Sequence, residues 1–395
     1  MTALLPPGCG VRAALAAGCL VALLLAPLAA QERRAAVRTP AAVFAEVMEA
    51  RRAADATATE AAASELAAWP RLDVLPILIA AADPARGKES CGAALAVLER
   101  MGLADDAAFA ASLLQPGLEE DLRRALVGLA RRDARTLAAL EALLRTVSSS
   151  ARVAFVRAVE DLRTPAAAVW LARCAERAPD VRGEALARLG RLGEALPLGA
   201  PAEALDAVRS LLAGVETRAL RDAVVACGRL EDGDAVPLLI ALLGDEDRGL
   251  SADAAWSLQR ITGLALRDRR DRWEHWYQSE AEWWRERSDR AFAALDSGDA
   301  AVRTRAILEL SGRRTAREQL AQRLTPLLED RDPEVARLSA WALGVLRTKA
   351  AVPALLAALE QAETPASGEA WKALRAIARK DLPREPAACR AALGL

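Results

Sequence analysis

Apolar residues recur at every third or fourth position along most of the chain, in segments that acidic or turn-forming residues separate. This spacing places the apolar side chains on one face of an amphipathic helix. The pattern predicts long helices that begin near Glu119, Ala151, Asp180, Thr217, Ser251, Asp299, Pro333 and Ser367. Most of these starting points are about 30 to 36 residues apart, a spacing that is typical of two-helix repeats.

Each long helix is paired with a shorter apolar helix, as in the runs at 236–243 and 352–359. The two runs belong to a longer internal match, because residues 234–276 align without gaps with residues 350–392. Aspartates in the intervening turns are predicted to cap the helices that follow them. These turns contain Asp245-Glu246-Asp247, Asp296-Ser297-Gly298-Asp299 and Asp330-Arg331-Asp332-Pro333.

The segment Asp332-Pro333-Glu334-Val335, with Ala340-Trp341-Ala342-Leu343-Gly344 after it, resembles the second helix of a HEAT repeat. The closest likeness is to the HEAT-like subtype first noted in bilin lyases. The resemblance covers residues 70–393 and implies an all-α fold, an armadillo-like α-solenoid of stacked helix pairs. It also implies an inter-repeat ladder of hydrogen bonds between Asp and Arg side chains. The residues assigned to this ladder, with a displaced arginine in the last unit, are Asp180, Arg182, Asp299, Arg303, Asp332 and Arg337.

The domain organisation predicted from these patterns has five parts. Residues 1–30 form a signal peptide and residues 31–69 a linker with capping helices. Two blocks of HEAT-like repeats occupy residues 70–263 and 299–395. Between them, residues 264–298 form a Trp-rich, charged insertion helix.

This insertion concentrates the aromatic residues of a chain that is only 4% aromatic. On a helix, Trp273, Trp276 and Tyr277 share a face with Trp283 or Trp284. One interpretation is that this face packs back onto the solenoid. The other is an exposed aromatic patch, formed by these five residues, that binds a partner peptide or a sugar.

The N-terminus has the pattern of an export signal. Arg12 precedes an apolar run over residues 13–28, and Ala30 is followed by the polar Gln31. The apolar run is shorter than the ~20 residues that a membrane-spanning helix needs. A cleaved signal is the preferred interpretation and an uncleaved anchor the alternative, so the protein is expected in the periplasm or cell envelope. The tail over residues 261–276, similar to one in exported bacterial HEAT-like proteins, agrees with this location.

The composition excludes most kinds of catalytic site. His275 is the one histidine of the chain, which excludes multi-His metal sites and most His-dependent catalysis. Cys91, Cys174, Cys227 and Cys389 follow no metal-binding or haem-binding spacing. They are expected to be small buried side chains, although an oxidising compartment permits a disulfide. The 53 basic and 54 acidic residues give a net charge of −1, which supplies no attractive field for nucleic acid.

Together these patterns predict a non-enzymatic, exported scaffold whose solenoid surface binds a protein partner. We expect a monomer without cofactor or metal, without contact to nucleic acid and, apart from an N-terminal anchor, without contact to a membrane. The alternative from a different class is a lyase or hydrolase of HEAT-like fold that uses acidic residues near the Trp-rich insertion. A third interpretation is a structural spacer that binds nothing tightly.

Overall fold

The computed structural model describes residues 38–214, 217–361 and 364–395. Within these residues the chain forms 22 α-helices, joined by short 3-10 turns and loops, and no β-strand occurs. The predicted all-α solenoid of stacked helix pairs is confirmed. The predicted signal peptide at residues 1–30 lies outside the described residues.

The chain divides into two compact units, residues 1–100 and 101–395. The described helices of the first unit are α1 (Pro40–Arg52), α2 (Ala56–Ala67), α3 (Arg71–Ala81) and α4 (Gly87–Leu98). Phe44 and Val47, which the helical spacing places on one face of α1, are both buried. This unit therefore has an apolar core of its own.

The second unit contains the remaining described helices. In chain order they are α5 (Asp106–Ser112), α6 (Glu119–Arg132), α7 (Thr136–Leu143), α8 (Ser149–Glu160), α9 (Pro165–Arg177), α10 (Arg182–Ala195), α11 (Ala202–Leu211), α12 (Thr217–Leu230), α13 (Val236–Leu242), α14 (Arg248–Thr262), α15 (Arg270–Glu286), α16 (Ser288–Leu295), α17 (Ala300–Leu310), α18 (Arg317–Leu324), α19 (Pro333–Leu346), α20 (Val352–Glu360), α21 (Pro365–Ala378) and α22 (Pro386–Leu393). The long helices α6, α8, α10, α12 and α14 pack on one another in chain order, and α17, α19 and α21 do the same. The shorter helices form a second layer, in which α9 packs on α11 and α20 on α22.

The eight long helices begin within three residues of the positions that the apolar pattern predicts. Three of them are capped as expected, because an aspartate side chain accepts hydrogen bonds from the free backbone N–H groups of the first turn. Asp247 caps α14 through Gly249 N at 2.7 Å, and Asp332 caps α19 through Glu334 N at 2.9 Å. Asp299 caps α17 in the same way.

Small residues let the long helices approach closely. A Cβ atom added at Gly344 of α19 would lie 2.8 Å from the Cα atom of Ala373 in α21. A Cβ at Gly228 of α12 would lie equally close to the backbone of Ser257 in α14, whose hydroxyl donates to the carbonyl of Val224 at 2.8 Å. Such contacts leave no room for a side chain, so these two positions require glycine.

Two of the residues assigned to the inter-repeat ladder do link neighbouring units. Asp180 accepts hydrogen bonds from Ser149 Oγ at 2.7 Å and from Arg152 Nε at 2.9 Å, both on the preceding long helix. Arg303 of α17 donates to Asp330, just before α19, at 2.9 Å. These links therefore join an arginine of one unit to an aspartate of the next.

The other four ladder residues make mainly local contacts. Arg182 donates to the carbonyl of Ala175 at 2.7 Å. Asp299 and Asp332 cap their own helices. Arg337 donates to Glu334 one turn earlier in α19, and its second carboxylate neighbour, Glu369 of the next repeat, is 3.9 Å away.

Candidate functional site

Segments of the second unit that are far apart in sequence meet at the end of α10. The Lys349 ammonium donates hydrogen bonds to the backbone carbonyls of Gly193, Glu194 and Leu196, at 2.6, 2.9 and 2.8 Å. Carbonyls at the C-terminal end of a helix lack an intrahelical partner, and the helix dipole attracts a cation there. Lys349 thus binds the end of a helix that lies 156 residues earlier in the chain.

A second long-range contact is centred on Glu231. Its two carboxylate oxygens pair with Arg317 and with Arg379. The Arg317 side chain is only 9% exposed and also donates to the carbonyl of Ile261 at 2.5 Å. Because a buried guanidinium is costly without compensating charge and hydrogen bonds, Glu231 is needed to hold these segments together.

Around these contacts lies a cavity of about 1080 Å³, which we call the central cavity. The end of α10, the residues at or just after the C-terminal ends of α12, α14, α19 and α21, and one face of α15 all contribute to its lining. The charged residues of the lining are Glu194, Arg229, Glu231, Asp232, Asp234, Arg260, Glu280, Arg317, Glu318, Arg347, Lys349 and Arg379. These six cations and six carboxylates balance, so the central cavity as a whole has no excess charge.

Several of these charged groups are poorly hydrated. Burial lowers the pKa of the Lys349 ammonium to about 8. Burial also raises the pKa of the Asp232 and Glu318 carboxyl groups. Charges in such surroundings interact more strongly with a ligand than the same charges would in water.

Two of the aromatic residues predicted from the sequence lie inside the protein. Trp273 is fully buried, and its indole N–H donates to the carbonyl of Arg267 at 2.7 Å. Trp283 is 6% exposed, and its indole N–H donates to Glu309 at 3.0 Å. The guanidinium of Arg313 lies over the Trp283 ring, 4.2 Å from its centre. The Trp283 contacts join α15 to the repeat that follows it, and the Trp273 contact joins it to the loop before it.

The other three aromatic residues, Trp276, Tyr277 and Trp284, are half-buried. Tyr277 and Trp284 line the central cavity, and between them in the sequence stands the buried Glu280. Both Glu280 oxygens are engaged, one by Arg313 and the other by the Trp284 indole N–H at 3.2 Å. The accessible part of the predicted aromatic set is thus these three residues.

A smaller pocket of about 440 Å³ shares three arginines with the central cavity. We call it the four-arginine pocket, and its lining consists of Trp256, Gln259, Arg260, Gly263, Arg314, Arg347 and Arg379. The lining contains four guanidinium groups and no carboxylate. Unlike the central cavity, this pocket therefore concentrates one sign of charge.

Two of the four arginines in this pocket form ion pairs. Arg260 forms an ion pair with Glu194, and Arg379 pairs with Glu231. The side chains of Arg314 and Arg347 form neither an ion pair nor a hydrogen bond with any residue in the described part of the chain. Two guanidinium groups of the pocket thus have no carboxylate of the described residues at ion-pair distance.

Burial and repulsion from neighbouring arginines lower the pKa of two of these arginines. Burial, followed by the charge of Arg379, lowers the pKa of Arg260. Burial, followed by the charges of Arg347 and Arg317, lowers the pKa of Arg314. An anion placed among these groups would oppose both effects.

This pocket was not predicted from the sequence, although the internal match contains a signal for it. Arg347 and Arg379 follow the last residues of α19 and α21 with φ values of 54° and 53°, in the left-handed region that favours glycine. Gly263, with φ of 78°, follows α14 in the same way and aligns with Arg379 in the internal match. Arg163 and Arg267 share this conformation outside the pocket, so Arg347 and Arg379 stand out only because they also line it.

The described residues offer no arrangement suited to a metal ion or to cysteine chemistry. No group of three or more His, Cys, Asp or Glu side chains in this part of the chain is placed to hold a metal. Cys91, Cys174, Cys227 and Cys389 are free and buried. None of the described helices has the length and apolar character required to cross a membrane.

Comparison with known proteins places these features in the class of helical repeat proteins. Residues 288–378 match the family model of HEAT repeats, which supports a HEAT-repeat protein. No curated protein matches the chain.

Solved structures similar to the chain include an engineered protein, with 18% identity over 60% of this chain and 96% of that one, and a TM-score of 0.21. Another is a structure described as the basis of tubulin recruitment and assembly by microtubule polymerases with TOG domain arrays. It shares 12% identity over 74% of this chain and 75% of that one, with a TM-score of 0.26. Because both TM-scores are low, no functional property of either structure is transferred to this chain.

Proposed function

We propose that this protein is a non-enzymatic scaffold that binds a partner protein through the central cavity of residues 101–395. The observation that carries this proposal is the cavity itself, because about 1080 Å³ of partly apolar, partly charged space lies where several repeats converge. Helical repeat proteins generally bind other proteins along such extended inner surfaces. Leu198, which is 49% exposed, and the half-buried Tyr277 and Trp284 supply apolar contact area.

The alternative of an enzyme that uses acidic residues near the Trp-rich insertion has less support. The carboxylate of that helix that faces the cavity from a buried position is Glu280. Its oxygens accept hydrogen bonds from Arg313, Trp284 and Thr315. A carboxylate with both oxygens occupied holds neighbouring elements in place and is poorly available for proton transfer.

The experiment that tests the proposal compares two matched surface variants. Leu198 lines the central cavity, whereas Leu308, 48% exposed, lies on α17 outside it. The wild-type protein and the two variants Leu198→Glu and Leu308→Glu are used as bait in cell extract, and recovered proteins are quantified at increasing bait concentration. We expect a saturable partner with the wild-type protein and with Leu308→Glu, and a strongly reduced recovery with Leu198→Glu, because a charge then faces the apolar contact.

Equal recovery with both variants would place the interface elsewhere on the repeats. The next candidate is then the half-buried Trp276 of α15, which does not line the central cavity, and Trp276→Ala is the matching variant. If the wild-type protein recovers no saturable partner, the proposal is contradicted. The interpretation that then remains is a structural spacer that binds nothing tightly.

We also propose that the protein functions outside the cytoplasm, as an exported protein of the periplasm or cell envelope. The support is the apolar run over residues 13–28 with small residues before Gln31. N-terminal sequencing of the protein from fractionated cells tests this. We expect a mature chain that begins at Gln31 in the envelope fraction, and an intact N-terminus in the cytoplasmic fraction would contradict it.

A further inference from the structure

The four-arginine pocket carries more positive charge than its surroundings neutralise. Arg260, Arg314, Arg347 and Arg379 line it, and Arg317 lies against Arg314. Against these five guanidinium groups stand two carboxylates, Glu194 and Glu231. The Arg260 Nε–H also has no hydrogen-bond partner within the described residues. A buried donor without a partner is unfavourable and favours a ligand that can accept from it.

The backbone conformation at two of these arginines does not explain why arginine stands there. Arg347 and Arg379 occupy left-handed positions after their helices, where glycine is the least strained residue. Gly263 occupies the corresponding place after α14, and a Cβ atom there would overlap the guanidinium of Arg314. Glycine at one helix end thus makes room for an arginine, while the other two helix ends carry arginines despite the strain.

We propose that the four-arginine pocket binds the carboxylates of an acidic segment of the partner protein. The proposal rests on the proposed function, since it names the chemistry that the partner presents to the cavity. The planar guanidinium fork matches a carboxylate through two parallel hydrogen bonds. The Gln259 amide and the 41%-exposed ring of Trp256 add a polar and a stacking contact beside the arginines.

The shape of the site favours an extended peptide over a compact anion. The pocket shares Arg260, Arg347 and Arg379 with the central cavity on one side. On the other side it shares Arg314 and Arg347 with a further depression of about 320 Å³. Residues of α19 and α21 line that depression, the apolar Trp341, Val345, Ala373 and Ala376 together with the charged Glu369 and Lys372. In an extended peptide, an acidic segment would lie in the four-arginine pocket and the apolar residues after it in the neighbouring depression.

The test measures binding of a fluorescein-labelled peptide in which consecutive glutamates precede leucines, by fluorescence anisotropy at low salt. A peptide with glutamines in place of the glutamates, inorganic phosphate and citrate are the comparison ligands. We expect the glutamate peptide to bind, with an affinity that falls as salt is raised, and the glutamine peptide to bind at least about tenfold more weakly. Phosphate or citrate that binds as tightly as the glutamate peptide would overturn the proposal in favour of a small-anion site.

The decisive test compares two variants that each replace an arginine in the left-handed backbone conformation. Arg347→Gly removes a pocket guanidinium, and Arg163→Gly removes an arginine with φ of 52° that lies outside the pocket. Both changes relieve a left-handed backbone, so both proteins should keep their melting temperature. We expect about tenfold weaker peptide binding for Arg347→Gly and unchanged binding for Arg163→Gly. Equal binding by the two would refute the assignment.

A second variant covers the case that Arg347→Gly does not fold. Arg314→Gln keeps a side chain of similar reach without the charge, and the same loss of peptide affinity is expected. Failure of the acidic peptide is distinguishable from failure of the proposed function. If partner recovery still depends on Leu198 while no acidic peptide binds, the cavity is the interface and only the chemistry inferred for the partner is wrong.

Discussion

At the scale of single residues, Lys349 does the most to join distant parts of the second unit. Its ammonium reaches three carbonyls at the end of α10, where the last carbonyls of a helix have no intrahelical partner. A nearby cation is also favourable for the helix dipole. A flexible lysine can satisfy several acceptors from one point, which the wider guanidinium of arginine does less well.

We predict that Lys349→Met lowers the free energy of unfolding by about 2 kcal/mol, because methionine keeps the apolar stem and removes all three donors. The control is Lys372→Met, since the Lys372 side chain is 64% exposed and should change stability by less than about 0.5 kcal/mol. Urea denaturation of both variants and the wild-type protein provides the measurement. Equal stability of the two variants would contradict the role assigned to Lys349.

The same comparison has a pH dependence whose sign follows from the lowered pKa. Lys349 has a pKa of about 8 in the folded protein, below the value of about 10.4 for a lysine in an unfolded chain. Between these two values the unfolded chain binds more protons, so the free energy of unfolding rises with pH. The stability difference between the wild-type protein and Lys349→Met should therefore widen from pH 8 to pH 10. A constant difference would show that Lys349 stays charged.

At the scale of elements, the Trp-rich helix α15 marks the limit of what the sequence predicts. Periodicity is a local property, and the helical spacing of the aromatic residues could be read from the sequence there. Burial depends on neighbours that come later in the chain. Trp283 is covered because Glu309 accepts its N–H and Arg313 lies over its ring, and neither contact has a local signature.

The long helices were predictable for a different reason. Their starts combine an apolar stripe with aspartate caps or an early proline, and all of these signals lie within a few residues of the boundary. The four-arginine pocket has no such local signal, since its residues come from segments more than 100 residues apart. Only the exchange of Gly263 for Arg379 between the two copies pointed to it.

At the scale of the whole second unit, long-range ion pairs modify the usual behaviour of a solenoid. In a simple repeat array each repeat contacts only its neighbours, and a mutation is felt only nearby. Here Glu231, after α12, pairs with Arg317 at the start of α18 and with Arg379 after α21. Repeats that are not adjacent in the chain are thereby coupled.

We predict that Glu231→Gln increases amide hydrogen exchange in both α12 and α21, although the two helices are more than 130 residues apart in sequence. The physical reason is the nearly buried Arg317, which loses its counter-charge at an expected cost of about 3 kcal/mol. The measurement is hydrogen exchange followed by mass spectrometry. The control is Glu360→Gln, which removes a half-exposed partner of Arg390 and should affect neither helix.

Faster exchange confined to α12 in Glu231→Gln would show that the unit behaves as a simple array after all. Faster exchange in α21 alone would assign the coupling to Arg379 without Arg317. The expected result is an increase at both ends of the contact, together with a lower urea midpoint.

The position after each long helix has a consequence for how this kind of protein acquires new specificity. The same left-handed place holds glutamate at 231, glycine at 263, and arginine at 347 and 379. Glu231 holds Arg317 and Arg379 in place, whereas Arg347 forms no ion pair within the described residues, so an exchange at 347 should leave the packing of the helices intact. Duplicated repeats supply several such positions side by side. A few substitutions among them can change the charge pattern that the protein presents to a partner while the fold stays the same.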